Sequence, residues 1–389
     1  STGCVSATAA GAEMSNQDFV RRMPGAGSSA AGATLQRIHL DPLFLSLLIA
    51  IVGYGLVVLY SAVNGDTAVF TNQLIRIALA FVALFVAAQL RPAFYRRWTP
   101  FVYAGGVLLL VLVLFVGVTV KGSQRWLDLP GLPRFQPSEL MKIAVPMMVA
   151  WYFHDRALPP RFSDVCVALL IIAVPAGCIV MQPDLGTGIL VAGAGFGVLV
   201  LAGLYWRWIF IALLAVAMMA PGLWYFLQDY QRQRIVTLFD PQSDPLGAGW
   251  NIIQSTTAIG SGGLWGKGLF QGTQSHLDFL PESQTDFIIA VVGEELGLVG
   301  ILGLLSLYLI VIARGLYIAS QAPATFSRLL AGALTLTFFV YVFVNIGMVC
   351  GLLPVVGVPL PLVSYGGTSA ITLMASFGII MSVSTHRSW

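Results

Sequence analysis

The sequence predicts an all-α integral membrane protein of about ten transmembrane helices, with a large loop between the seventh and eighth and a re-entrant-like segment before the tenth. Three observations predict it. Of 389 residues, 57% are hydrophobic and only 10% charged, against about a quarter charged in soluble domains, and the mean hydropathy is +0.85. Apolar runs near the twenty residues that span a bilayer recur from Pro42 to the end. These runs are continuous, not alternating, which favours helices over barrel strands.

The runs lie at 42–62, 70–90, 100–120, 137–154, 164–181, 187–204, 206–227, 286–313, 328–350 and 363–384. Alternate loops carry the arginines: Arg21, Arg22 and Arg37; Arg91, Arg96 and Arg97; Arg156 and Arg161; Arg207; Arg314 and Arg328; Arg387. The positive-inside rule makes those loops and both termini cytoplasmic. Opposite loops hold Asp66, Asp128, Asp184, Asp229, Asp240, Asp244, Asp278 and Glu282. Residues 1–40 are rich in Gly, Ala and Ser and read as a flexible cytoplasmic segment. Met14 is the expected native start, with 1–13 a remnant of what preceded it. Residues 41–389 form the membrane domain.

Three outer segments are unusual. Lys121–Gln136 mixes charges with prolines. The stretch from 228 to 285 is glycine-rich and reads as one long loop, a length usually functional. LPVVGVPLPLVSYGG, 353–367, is apolar yet broken by Pro354, Pro359 and Pro361. It must be buried in protein or line a wet cavity to satisfy its backbone. No internal repeat supports an inverted-repeat transporter.

Ionisable residues in membrane helices are functional candidates by default. Glu139 and Lys142 share a helix face. They read as a neutralising ion pair, the commoner solution, or as the wall of a polar cavity that meets an anion. Asp286, in SQTDF, reads as a helix-capping carboxylate or as a reactive one at the membrane boundary. Glu294 and Glu295 lie about 12–14 Å deeper and need a polar interior, protonation, or a basic partner from another helix. His39, His154, His276 and His386 are scattered, with no metal-ligand spacing. Cys4, Cys166, Cys178 and Cys350 form no C-x-x-C pair and read as inert thiols. SGGLWGKGLFQG is not a phosphate-binding P-loop, since Gly268 and Leu269 follow Lys267. The net charge of +3 does not suggest nucleic acid.

FQPSELMK (135–142), QPDLGT (182–187), GSGGLWGKGLFQGTQ from Gly260, FLPESQTDFIIAVVGEELG (279–297) and NIGMVCGLLPVVGVPLPLVSYGGTS (345–369) closely resemble the SEDS family of cell-wall polymerases. The resemblance covers the chain from about Leu40, in the family's order. It lies nearer the elongation (RodA) branch than the division (FtsW) branch. The latter typically has lysine-glycine-leucine-threonine where this chain has Val356, Gly357, Val358 and Pro359. One departure is Gln284, where many members have histidine.

The resemblance implies ten helices in the bacterial inner membrane and polymerisation of lipid II into β-1,4-linked glycan on the periplasmic side, with release of undecaprenyl diphosphate. It also implies a class B penicillin-binding protein as partner, beside the lipid substrate and membrane lipid. It makes Asp286 the essential acid, and Glu139 and Lys142 a functional pair. Transfer from a lipid diphosphate needs a base for the acceptor hydroxyl, the expected task of Asp286, and cations for the leaving group. Lys142, Arg125 and Lys121 are the candidates. A divalent cation, Mg or Mn, suits such chemistry, but no dedicated cage is visible and its ligands stay unassigned. A lipid II flippase is the alternative, as ten helices with internal charges suit either. Polar motifs clustered on one face favour chemistry there, whereas a flippase distributes polar groups through the membrane depth.

Overall fold

The computed structural model describes residues 38–386 except 121–122, 128–134, 227–228, 244–247 and 277–281. Ten long helices stand at the ten expected positions. They are α1 Pro42–Ala62, α2 Thr67–Gln89, α3 Pro92–Val116, α4 Pro137–Phe153, α5 Phe162–Met181, α6 Leu185–Leu201, α7 Trp206–Phe226, α11 Ile288–Ser320, α12 Thr325–Val349 and α13 Thr368–Thr385. Seven of them, α1–α3, α5 and α11–α13, are long and apolar enough to cross a membrane. The apolar α6 is shorter, and α4 spends two of its 17 residues on the Glu139–Lys142 pair. The chain is a multi-pass membrane protein.

Local chemistry sets the starts of these helices. Asp41 accepts from the Phe44 amide at 3.0 Å, with Pro42 behind it at the first helical position. Asp66 caps α2 through the amides of Ala68 and Val69. The most buried of the seven spans are α12 and α13, and the least buried are α2 and α3. So α12 stands at the centre, where its polar side chains face other helices, not lipid.

The stretch from 228 to 285 joins the seventh and eighth long helices, as expected, and it has structure of its own. It contains α8 Asp229–Phe239, a 3-10 turn at Pro241–Ser243, α9 Ala248–Gly262 and the short α10 Thr273–His276. Helix α9 packs on α11 and α12, and Ser255 Oγ donates to the Val349 carbonyl at 2.9 Å. The earlier outer segment is a hairpin, β1 Val118–Val120 with β2 Ser123–Trp126, extended by a bridge between Leu127 and Phe135. The expected flexible 1–40 segment lies outside the described residues up to residue 37, and so does Cys4.

Helix α11 is broken at Gly297 (φ 65°, ψ −163°), a backbone region open in practice to glycine alone. At the break, the glycine-rich run after α9 pairs with two carbonyls and two amides of α11. The amides of Lys267 and Gly268 donate to the carbonyls of Glu294 and Glu295 at 3.0 and 2.9 Å. The amides of Leu298 and Val299 donate to the carbonyls of Gly263 and Leu264 at 3.0 and 3.2 Å. A Cβ on Gly266 would fall 2.1 Å from the Glu295 carbonyl oxygen, so the fit requires glycine there.

The same plug answers the expectation for the two glutamates. Glu294 Oε1 accepts from Lys267 Nζ at 2.7 Å, from the amides of Thr273 and Gln274 at 2.7 and 2.9 Å, and from Thr273 Oγ1 at 3.0 Å. Its cationic partner comes from the plug, not from another helix. Glu295 accepts from Ser61 Oγ of α1 at 2.8 Å, and Ser61 in turn accepts from the Phe270 amide.

The segment between α12 and α13 is irregular and buried, as its prolines demand. Val358, Leu360, Val363 and Ser364 are each at most 5% exposed. Its polar backbone is met by side chains from the helices around it. Asn345 donates to the Val358 carbonyl at 2.7 Å, Tyr308 to Pro361 at 2.7 Å, and Gln73 to Ser364 at 3.3 Å. Two other helices close on it through glycines. A Cβ on Gly55 of α1 would lie 2.7 Å from Val363 Cα, and one on Gly186 of α6 would lie 2.7 Å from the Val356 carbonyl oxygen.

Candidate active site

Asp286 sits in a turn that runs from Glu282 into α11 and is half-buried. The helix begins at Ile288 with Phe287 in the capping position, so Asp286 stands one residue outside the cap. It is joined instead to the re-entrant segment. Asn345 Nδ2 of α12 donates to the Asp286 carbonyl at 2.8 Å as well as to Val358. The Tyr365 amide donates to the Gln284 carbonyl at 2.8 Å, and Ser364 Oγ donates to Thr285. The Asp286 carboxylate lies over Gly357, where a Cβ would be 3.4 Å from Oδ2 and where φ is +72°. Three consecutive residues are thus bound at the main chain, and the side chain is aimed by a fixed turn.

On α4, Lys142 Nζ meets Glu139 Oε1 at 2.6 Å, with both residues 5% exposed. The Nζ also lies 4.8 Å from the ring centre of Tyr341. The pair does not close on itself. Glu139 Oε2, the neighbouring Ser138 Oγ and the Tyr341 hydroxyl are buried without hydrogen-bond partners, and so is Asn345 Oδ1. Tyr341 and Asn345 are one turn apart on α12, one beside Lys142 and the other holding Asp286, so the two stations are offset by about 6 Å along that helix. Unsatisfied buried polar atoms cost about 1–3 kcal/mol each, and their concentration here marks a region shaped for a polar visitor.

A third station lies beside these. Asp184, the cap of α6, accepts from Thr187 (amide 3.2 Å, Oγ1 3.0 Å), Gln136 Nε2 (3.1 Å) and Arg125 Nη1 (3.3 Å). Arg125, on β2, therefore has its charge shared with a buried carboxylate, although 29% of its side chain stays exposed. Lys121 lies outside the described residues. Of the residues expected at the site, the structure brings Glu139, Lys142, Asp286 and Arg125 to one end of the bundle. It adds Tyr341, Asn345, Asp184 and Gly357, to which the sequence alone assigned no role. Only Asp184 carried a local signal, the D-x-x-T spacing of a helix cap. Among the described residues no three His, Cys, Asp or Glu side chains come together as a metal cage.

The sequence of residues 41–389 matches the family described as FTSW_RODA_SPOVE, cell cycle protein. The chain belongs to this FtsW/RodA/SpoVE family. Among its relatives, "Peptidoglycan glycosyltransferase MrdB" of Escherichia coli K12, a RodA protein, is 55% identical over 352 residues, covering 90% of this chain and 95% of the relative. "Probable peptidoglycan glycosyltransferase FtsW" of Geobacter metallireducens is 36% identical over 363 residues, covering 89% and 95%. This family member is thus nearer to a RodA than to that FtsW. A chain from the structure described as "Structural coordination of polymerization and crosslinking by a peptidoglycan synthase complex" superposes with a TM-score of 0.79 at 31% identity, covering 90% and 99%. Thermus thermophilus rod shape determining protein RodA superposes at 0.68 with 29% identity, covering 90% and 98%.

Proposed function

We infer that this protein is a peptidoglycan glycosyltransferase of the elongation type, which polymerises lipid II into β-1,4-linked glycan strands and releases undecaprenyl diphosphate. The observation that carries the reading is the held carboxylate: Asp286 is fixed at the main chain by Asn345 and set against Gly357, while Tyr341, one turn from Asn345 on α12, faces the buried Lys142. The family and the names of its relatives supply the reaction class.

The chemistry follows from that geometry. Asp286 accepts the proton of the acceptor 4-hydroxyl as its oxygen attacks the anomeric carbon of the donor. The bond from that carbon to the diphosphate breaks in the same displacement, and inversion of an α-linked donor gives a β-link. Negative charge near the ring also favours an oxocarbenium-like transition state. Lys142 and Arg125 are the cations offered to the departing diphosphate, each already sharing charge with a carboxylate. Lys121 belongs to the same proposal. A divalent cation, Mg or Mn, fits this donor set only as a companion of the diphosphate, since such ions are commonly held by one or two carboxylates plus substrate phosphates.

The arginine-bearing loops are assigned to the cytoplasm and the Asp286 end to the periplasm of the inner membrane, with both termini inside. Reporter fusions at Arg156 and Gly262 check this, and a cytoplasmic signal at Gly262 would reverse it. A class B penicillin-binding protein is the proposed partner, seated at the Asp286 end, where it biases the site toward a competent arrangement.

The deciding experiment uses purified protein in detergent with lipid II and that partner. Detergent has no two compartments, so a flippase makes no product, whereas a polymerase yields a ladder of glycans. No ladder from active lipid II, with Mg and Mn each supplied, would move the flippase reading to the front.

A further inference from the structure

At the other end of α13 from the Asp286 site, about 27 Å away along that 18-residue helix, the structure has a second polar cavity. Its volume is about 540 Å³, and it is lined by His39, Arg91, Arg96, Ser327 and His386, with Pro323 at its edge. The two histidines come from opposite ends of the chain and stack with ring centroids 3.7 Å apart. His386 Nδ1 lies 3.2 Å from the Ser382 carbonyl, so Nδ1 carries the proton and Nε2 is left over. His39 Nδ1 is buried without a partner. The nearby Asp41 does not neutralise this group, since it is bound to Arg314 at 2.6 Å and to Ser384 at 3.3 Å. Among the described residues no carboxylate pairs with Arg91 or Arg96. Burial, then His39, then Arg91 hold the His386 imidazolium below its ordinary range, while the Ser382 carbonyl opposes them.

The positive charge of this cavity at the membrane edge is that of two guanidiniums, beside two stacked imidazoles. Beside it, sharing the corner between α2 and α3, runs an apolar groove of about 580 Å³, lined by Leu79, Val86, Leu90, Phe94, Trp98 and Ile379 among others. Leu90 and Phe94 line the groove, while Arg91 lines the cavity. On α13, Ile379 faces the groove and Val383, one turn on, faces the cavity. A charged head pocket next to an apolar trough matches an amphiphile that carries a phosphate. A free phosphate would use the first and leave the second.

We propose that this cavity binds the phosphate headgroup of an anionic phospholipid of the arginine-side leaflet, with its acyl chain in the α2–α3–α13 groove. Arg91 and Arg96 hold the phosphate oxygens. His39 and His386 form the inner wall. Basic pockets between transmembrane helices are a recognised way to take such headgroups. The headgroup cavity lies at the far end of α13 from Asp286 and stands whether or not the glycosyl-transfer reading holds, although the groove also borders α4 through Leu140, Ile143 and Met147.

The test uses the full chain in a zwitterionic detergent, titrated with long-chain phosphatidylglycerol, its dihexanoyl analogue, phosphatidylcholine or inorganic phosphate. Thermal shift reads affinity, and native mass spectrometry reads the bound species. Long-chain phosphatidylglycerol should bind tightest and phosphatidylcholine not detectably. Arg91→Gln and Arg96→Gln should each weaken phosphatidylglycerol about fivefold. The double lysine variant, which keeps the charge, should bind within about fivefold of wild type and so separates loss of charge from loss of fold. Ala83→Trp, which fills the groove away from the arginines, should weaken the long-chain lipid and leave the dihexanoyl analogue unchanged. Equal binding of phosphatidylcholine, or wild-type affinity in the double glutamine variant, overturns the site. Inorganic phosphate binding as tightly as the long-chain lipid, with Ala83→Trp silent, overturns the lipid and leaves a phosphate site.

Discussion

Two stretches of irregular backbone enter the helical bundle near its acidic end, and they are finished differently. The plug at Gly297 is closed. Two carbonyls and two amides beside the break pair with residues 263–268, and four donors converge on one oxygen of Glu294. The segment beside Asp286 is closed at the main chain by Asn345, Tyr308 and Gln73. Around it, however, Glu139 Oε2, Tyr341 OH and Asn345 Oδ1 remain buried and unmatched. Buried acids lie by both stretches, Glu294 and Glu295 at the plug and Glu139 near the re-entrant segment, so the presence of charge does not separate structure from chemistry. The completeness of its hydrogen bonding does. Glu294 is tied into the fold by four donors on one oxygen, whereas the buried atoms around the re-entrant segment, Glu139 Oε2, Tyr341 OH and Asn345 Oδ1, stay open to a polar visitor.

Substitutions can break that comparison. The largest effect is expected at Asp286. Asp286→Asn keeps the volume and removes the base, so polymerisation should fall about 10²–10⁴-fold with melting temperature and partner binding unchanged. Near-normal glycan synthesis by this variant would end the general-base assignment. Next comes the α4 pair. Glu139→Ala and Lys142→Ala should each lower the rate about 10²-fold or more, the scale for losing one charge-stabilising donor. The double exchange Glu139→Lys/Lys142→Glu should fold without recovering it. Full recovery would make the pair structural and strike Lys142 from the substrate contacts.

Glu294→Ala tests the closed side of the comparison. It strands the Lys267 charge and should destabilise the protein by about 3–5 kcal/mol, seen as a lower melting temperature and faster proteolysis between residues 262 and 276. Loss of turnover with unchanged melting would move Glu294 into the chemistry. The smallest effect is expected from Gly357→Ala, where a left-handed residue gains a Cβ at a cost of about 1–2 kcal/mol. Because that Cβ meets Asp286 Oδ2, the rate should drop about tenfold while stability falls only slightly. A variant as active as wild type would show that Gly357 does not position the carboxylate.

The bundle was legible because its signal is composition over twenty residues, and no tertiary contact is needed to read it. The re-entrant segment was legible for a related reason: Pro354, Pro359 and Pro361 forbid the helix that its hydrophobicity suggests. The short helices inside the 228–285 connection were not legible because α9 has few apolar runs of its own, and its packing glycine, Gly262, looks like a loop residue until Gly293 is seen against it. Lys267 looked like an ordinary loop lysine, since its acid lies 27 residues away. At the site, Asp286, Glu139 and Lys142 stood out as charges in apolar surroundings. Tyr341 and Asn345 did not, because a polar residue on a buried helix declares a role only through what faces it. The same holds for His39 and His386, which sequence reading counted as scattered and which stack face to face.

The partners of the re-entrant segment have one more property in common: they all precede it. Gly55, Gln73, Gly186, Gln284, Thr285, Tyr308 and Asn345 leave the ribosome before Gly351 does. Chains emerge N-terminus first, so most of the socket emerges before the insert that fills it. A nascent chain halted anywhere short of residue 357 carries Asp286 without the backbone it rests against. Synthesis order thus brings the Asp286 carboxylate and the Gly357 backbone together only late, after α12 has been made.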